Sequence, residues 1–421
     1  IEAMTKRLIL AFVFLSWHLV ACSNGDSGIS SGLPDKPSAE EDSPGTETIS
    51  EEMRVKITGE DLYISAKLDA KTDILYWFKK CMFNELFTFY RVGTIDNNMP
   101  APATLPDVSP TSLLNLAYSD NIGPFNITGY GWCGGNHPYL DEVTQTARNI
   151  GYRIYIDGKE IKTDLSTLTK EIKIEVINEI MNPSKADTSS GKTLLNEILC
   201  IETVNYSIYR NNIQVLVTHE FQNEAPVTVQ MYYGMQSMFD KETHTLTANG
   251  KYVDWTVQKD VSTFTKKEYP SFRRFIEKSA NAYQSSYLFA DGLGNHEEIS
   301  DDDIIFIGNS SNKTYHKIIA DREHKKGDII HWSGVYTWFK SPVSDDDDLL
   351  CYEGVIDNKK VLFIDCKKSV DRTIQLPVDY TKKSFTIIEK SKSITITGNK
   401  VTAKGLRIVS DGSGSCVITF D

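Results

Sequence analysis

The chain has 421 residues, 40% of them apolar, and a formal net charge of −12 at pH 7. That length accommodates one large core or several small ones. The acidic balance argues against a nucleic acid partner, because binding phosphate needs a cationic surface, and seven cysteines are too sparse for a disulfide-built scaffold.

In chain order, Lys6 and Arg7 precede an almost wholly apolar run from Leu8 to Val20. The run is short for a membrane span and matches a secretory signal. It ends in Leu19-Val20-Ala21-Cys22, which resembles the lipobox of bacterial lipoproteins. In that family the cysteine is acylated and becomes the mature N-terminus. The resemblance implies a signal peptide over 1–21, lipidation at Cys22, and export to the bacterial outer membrane, at the cell surface or on its periplasmic face. An ordinary secretory signal that ends beside a cysteine is the alternative.

Residues 22–52 are rich in Ser, Gly, Pro, Asp and Glu and poor in large apolar side chains. Such a segment cannot bury enough surface to offset its ordering entropy, so it reads as a disordered acidic tether. Eight acids stand there against Lys36, and the resulting −7 is more than half of the whole −12. Signal and tether together look like surface lipoproteins of the Bacteroidetes, many of which handle glycans.

From Met53 onward the pattern is of strand after strand, with turn residues every 8 to 15 positions. GYRIYIDGKEI carries a hairpin signal at Asp157-Gly158. VNYSIYRNNIQVLVTHEF carries one at Asn211-Asn212 and leads into APVTVQMYYGMQSMF, which reads as a third strand of the same meander. SFRRFIEKSANAYQ, after Pro270, is the best helix candidate. GDIIHWSGVYTWF, CYEGVIDNKKVLFIDC, SFTIIEK and SCVITF continue the strands to the end. In the second of these, a turn at Asn358-Lys359 sets Cys351 and Cys366 on facing positions, at a spacing that permits a disulfide. The competing reading is that all six cysteines after Cys22 are small buried apolar residues.

The fold class is therefore all-β, a large antiparallel β-sandwich over 53–380, with 381–421 as a small C-terminal β-unit. Two or three smaller β-domains in a row also fit. The long strands from Asn205 to Phe239, with their YYGMQ run, resemble the supersandwich of galactose mutarotase-like and polysaccharide lyase domains. A second resemblance spans Asp120 to Ile161. There a GGNH element, a Thr-Ala-Arg strand and an aspartate-glycine hairpin look like a segment of uncharacterised bacterial and phage surface proteins. It implies no activity.

The candidate site is TGYGWCGGNHPYLDE. Gly134 and Gly135 allow tight turns and close approach of a ligand. Asn136 and Trp132 suit sugar hydroxyls and sugar C–H faces, and His137 and Tyr139 have the proton chemistry of a catalytic pair. The tripeptide recurs at Gly294-Asn295-His296, which makes Asn295 and His296 further ligand-binding candidates. Polysaccharide lyases on the resembled fold abstract a proton with Tyr or His beside an Asn, and a uronate substrate would need Arg148, Arg153, Arg273 or Arg274 beside His137. A turn-capping corner with no ligand is the competing reading.

Elsewhere, Trp332, Tyr336 and Trp338 fall on one strand face, as a core stripe or a sugar-stacking stripe. His219 and Glu220 point to opposite faces. HEFQN is not HExxH, no GxSxG or phosphate-binding loop occurs, and no cofactor is implied. The acidic runs Asp301–Asp303 and Asp345–Asp348 are oxygen-rich enough for structural calcium, although such runs are more often simply solvated. The reading that emerges is a lipid-anchored surface protein that binds or processes a polysaccharide or oligosaccharide. A uronate-directed polysaccharide lyase and an adhesion module with a protein partner are the alternatives.

Overall fold

The computed structural model describes residues 49–104, 114–118, 122–239, 244–247, 252–254, 262–264, 273–279, 282–290, 305–308 and 313–421. Cys22, Asn295, His296 and Asp301–Asp303 lie outside the described residues, as does nearly all of the expected tether. Glu51, at the tether's end, meets Arg210 at 3.6 Å and Lys360 at 3.8 Å.

The protein is all-β, as expected. Among the described residues there are two 3₁₀ turns, Pro183–Lys185 and Val378–Tyr380, and no α-helix. Two large antiparallel sheets dominate. The first has twelve strands and starts with Leu165–Thr169 at one edge. Next come β1 (Met53–Thr58), β2 (Asp61–Lys67), β3 (Thr72–Cys81) and β4 (Leu86–Asp96). Leu114–Tyr118, Val227–Phe239 and Lys313–His324 continue it. A small hairpin, Phe125–Ile127 with Gly131–Cys133, adds to the edge of Val227–Phe239. The second sheet has ten strands, with Arg274–Lys278, Tyr283–Leu288, Ile329–Phe339, Asn212–Phe221, Ile198–Tyr209, Ile172–Met181 and Ala147–Ile156 adjacent in that order.

Alternation builds the core. In β2, Leu62, Ile64 and Ala66 are fully buried, while Asp61 and Tyr63 at its start are half-buried on the other face. In β3 the inward residues are Ile74, Tyr76 and Phe78. They join Val204, Tyr206, Val215, Trp332, Tyr336 and Trp338 of the other sheet in one cluster. The Trp332–Trp338 stripe is therefore core. Its indoles are bonded inside, Trp332 Nε1 to Tyr232 Oη at 2.8 Å and Trp338 Nε1 to Gln284 Oε1 at 2.9 Å.

Four local expectations change. Arg274–Lys278, inside the helix candidate, is a strand paired with Tyr283–Leu288. Its residues Arg274 to Glu277 are all buried, and a strand covered on both faces loses the period of two that would betray it. Val227–Phe239 is not a third strand of the 198–221 meander. The chain crosses at Gln222–Pro226 into the other sheet, and Ile329–Phe339 takes the neighbouring place. The turn after Ile198–Tyr209 is Arg210-Asn211, because Tyr209 pairs with Asn212.

The last change separates the cysteines. The closing pair of the late hairpin is Ile356 with Lys359, around Asp357 and Asn358, both at positive φ. This two-residue turn matches the strand twist, and Asp and Asn tolerate the positive φ it needs better than Lys359 would. Cys351 then faces Ile364, Cys366 faces Leu349, and all six cysteines are free and buried.

Strand pairing runs across 380/381. Phe385–Lys390 and Gly414–Phe420 share a sheet with Leu349–Ile356 and Lys359–Cys366. These strands have their own core, from Leu349 to Phe420. A second apolar cluster joins them to the sandwich through Tyr287, Val335 and Phe339. The ion pair between Arg274 and Asp365 is buried within that join.

Candidate functional site

The GGNHPY segment follows the Phe125–Ile127/Gly131–Cys133 hairpin. Cys133 is fully buried, so its neighbour Trp132 turns toward the surface and is half-buried. The chain then reverses over Gly134–His137, with the His137 amide donating to the Gly134 carbonyl at 3.1 Å. Both glycines have positive φ, 78° and 49°. A Cβ on Gly135 would also stand 3.1 Å from the Ile122 carbonyl oxygen. The turn thus requires glycine there for backbone reasons.

Asn84, buried in the turn after β3, clamps this corner. Its Nδ2 donates to the Gly135 carbonyl at 2.9 Å and to the His137 carbonyl at 3.1 Å. Its Oδ1 accepts from the Thr146 amide at 3.0 Å and the Ala147 amide at 3.3 Å. Asn136 is also spent inside the fold, because its Oδ1 accepts from the Phe83 amide at 2.6 Å. The main chain of Tyr139 forms a second turn, accepting from Glu142 N and donating to Thr144 O. The glycines and Asn136 thus shape and tie down this corner.

The side chains of Trp132 and His137 go elsewhere. The His137 imidazole stacks on the Trp132 indole, with centroids 5.4 Å apart and planes at 25°. Trp132 stacks in turn on Tyr233, at 5.9 Å and 21°, and Tyr233 meets Tyr315 at 4.3 Å. All four rings are half-buried. Tyr233 lies on Val227–Phe239 and Tyr315 on the adjacent Lys313–His324, so the rings form a ladder across strands of the first sheet. Burial, with the charge of Lys313 nearby, lowers the His137 pKa to about 4. The ring is therefore neutral at neutral pH.

The arginines that a uronate lyase would bring to His137 are engaged elsewhere. Arg148 pairs with Glu179 and Arg153 with Glu175. Arg273 pairs with Glu389 and Arg274 with Asp365. The acidic run at 345–348 is held by Lys278, Lys367, Lys368 and Arg372. Among the described residues no group of three or more His, Cys, Asp or Glu side chains is arranged to hold a metal. His219 is fully buried, its Nε2 at 2.8 Å from Glu202 Oε2, while Glu220 is exposed on the opposite face.

Asn84, Tyr233 and Tyr315 were not singled out from the sequence. The Tyr232-Tyr233 pair was visible as part of YYGMQ. Which of the two faces out depends on the irregular register between Tyr232 and Tyr233, where the pairing with Lys313–His324 shifts.

No protein-family model matches the chain, and no curated protein matches it. Among solved structures it is similar to the galactosidase domain of an alpha-galactosidase-sucrose kinase, at 8% identity and a TM-score of 0.37, over 66% of this chain and 40% of that one. It is similar to an alpha-galactosidase from Geobacillus stearothermophilus, at 8% identity and a TM-score of 0.38, over 69% of this chain and 41% of that one. It is also similar to a polysaccharide lyase, at 6% identity and a TM-score of 0.26, over 81% of this chain and 45% of that one. The chain spans less than half the length of each. At scores this low, the likeness settles neither family nor activity.

Proposed function

We propose that this chain is an exported, lipid-anchored protein that binds a polysaccharide or oligosaccharide on the ring ladder of its first sheet. The observation that carries the reading is the half-buried stack of His137, Trp132 and Tyr233, continued by Tyr315. Flat ring faces suit the C–H faces of sugar rings, and a neutral imidazole can donate to or accept from a hydroxyl. The corner below is clamped by Asn84, so the platform is preorganised. Asn295 and His296 join the reading only as a second GNH loop of the same composition. The anchor rests on the apolar run and Cys22.

The test is a polysaccharide pull-down with the full chain and with Trp132→Ala and His137→Ala, followed at 235 nm, roughly where a lyase product would absorb. Both variants should lose the glycan with melting temperatures near that of the parent, because neither side chain is fully buried. Retained binding, or equal loss of stability and binding, would sink the reading. Rising absorbance would turn the binder into a lyase. Palmitate labelling that survives Cys22→Ala would remove the anchor.

A second reading, adhesion to a protein partner, is favoured by one observation. Tyr130, Leu140 and Val143, around the same corner, are 43%, 66% and 77% exposed.

A further inference from the structure

The outward face of β2–β4 carries a second aromatic group. Tyr63 and Trp77 are direct cross-strand partners and stack at 5.4 Å with planes at 30°. A β-bulge between β3 and β4 pairs Trp77 with Arg91 and the next residue, Phe78, with Phe89. Tyr90 is left over, and it meets Trp77 edge-on at 5.0 Å. The same cross-strand row runs on to Lys56 of β1, which faces Tyr63. Lys56, Tyr63, Trp77, Tyr90 and Arg91 are half-buried, while Phe78 and Phe89 face the core.

Cations border this strip. Lys79 Nζ lies 4.7 Å from the Trp77 ring centre and 4.3 Å from that of Tyr90. The Arg91 guanidinium lies 5.0 Å from the Tyr90 ring centre. Neither residue, nor Lys56, forms an ion pair among the described residues. Asp61 accepts from the Trp77 indole Nε1 at 3.0 Å. Among the described residues, three cations without carboxylate partners thus gather around three partly exposed rings.

We propose that this strip is a binding site for a uronate-bearing oligosaccharide, separate from the ladder at Trp132. Rings receive sugar C–H faces, while ammonium and guanidinium groups receive carboxylates, Arg91 through its planar fork. Cations poised over rings suit a ligand that is apolar on its faces and anionic at its rim. A single-stranded nucleic acid would ask for the same parts. The short strip favours the saccharide over a longer strand. The inference is independent of the proposed reading of Trp132.

The experiment is calorimetric titration of the full chain with a polygalacturonate hexamer, a neutral xylose hexamer and an oligothymidylate. The uronate hexamer should bind, and the neutral one should bind at least ten-fold more weakly. Trp77→Ala and the pair Lys79→Ala/Arg91→Ala should each weaken the uronate at least ten-fold, with melting temperature unchanged. Salt should weaken binding to the parent more than to the Lys79/Arg91 pair variant. No binding of the uronate, equal binding of the neutral hexamer, tighter binding of oligothymidylate, or full affinity in Trp77→Ala would each overturn the proposal. Loss with Trp132→Ala but not with Trp77→Ala would overturn it too, and would leave the ladder as the glycan site.

Discussion

Burial gives several single side chains titration behaviour that sequence could not announce. His137 and His324 both have pKa values lowered from 6.5 to about 4, chiefly because burial disfavours the charged ring. The unfolded chain therefore takes up protons near pH 6.5 that the folded chain refuses until about 4. Stability from these groups is complete above pH 6.5 and falls as pH drops toward 4. Glu277 runs the other way. Its carboxyl is buried, accepts from Thr314 Oγ1 at 2.6 Å, and is pushed up from 4.5 to about 8 by desolvation. Stability from Glu277 is complete below pH 4.5 and falls as pH rises toward 8. The limiting slope is about 1.4 kcal/mol per pH unit for one proton. Thermal melts from pH 4 to 8 should show both flanks. Glu277→Gln should flatten the alkaline flank and His137→Gln part of the acid one. An unchanged alkaline slope in Glu277→Gln would show that this carboxyl is ionised in the folded state.

At the scale of elements, the corner at Gly134–His137 shows how a loop becomes a platform. Two positive-φ glycines reverse the chain, and Asn84, far away in sequence, ties its carbonyls down. Asn84→Ala would leave several buried main-chain groups unpaired, and should cost roughly 2–4 kcal/mol. It should also weaken glycan binding at Trp132, although Asn84 touches no ring of the ladder. Chemical denaturation alongside the pull-down would check both effects. Normal stability would mean that water replaces Asn84. Much of this local structure was legible. The Asp157-Gly158 hairpin closes as written, with Ile156 facing Lys159. Register was legible only to within one residue where turn signals were doubled. Asn211-Asn212 became Arg210-Asn211, and the one-residue difference at Asp357-Asn358 moved Cys351 away from Cys366. Moving a two-residue turn by one position shifts every cross-strand partner by two while leaving the faces unchanged, so the choice of partner is the least readable part of a strand pattern.

At the scale of the molecule, the late strands from Leu349 onward pack their own core and share a second one with the sandwich. The Arg274–Asp365 pair lies buried in that join, with Arg274 also donating to the Ile364 carbonyl at 3.1 Å. Removing one partner strands the other charge. Asp365→Ala should therefore cost roughly 3–5 kcal/mol, while the double change Arg274→Met/Asp365→Leu should cost much less. Denaturant titration of both variants would check this, and equal losses would mean that packing rather than charge dominates the join.

Composition and periodicity by themselves determined that this is an all-β protein, that it is too acidic to suggest a nucleic acid partner, and that its rings and turns crowd around GGNHPY. These are properties of short windows, in which alternation and turn chemistry act directly. Only the tertiary structure decided that Trp332, Tyr336 and Trp338 are core, while Trp132, Tyr233 and Tyr315 meet on the surface. It alone brought Lys56, Tyr63, Trp77 and Arg91 into one row. The physical reason is that a strand has two similar faces. Which one meets the core depends on the sheet packed against it, and that sheet is built from residues far along the chain.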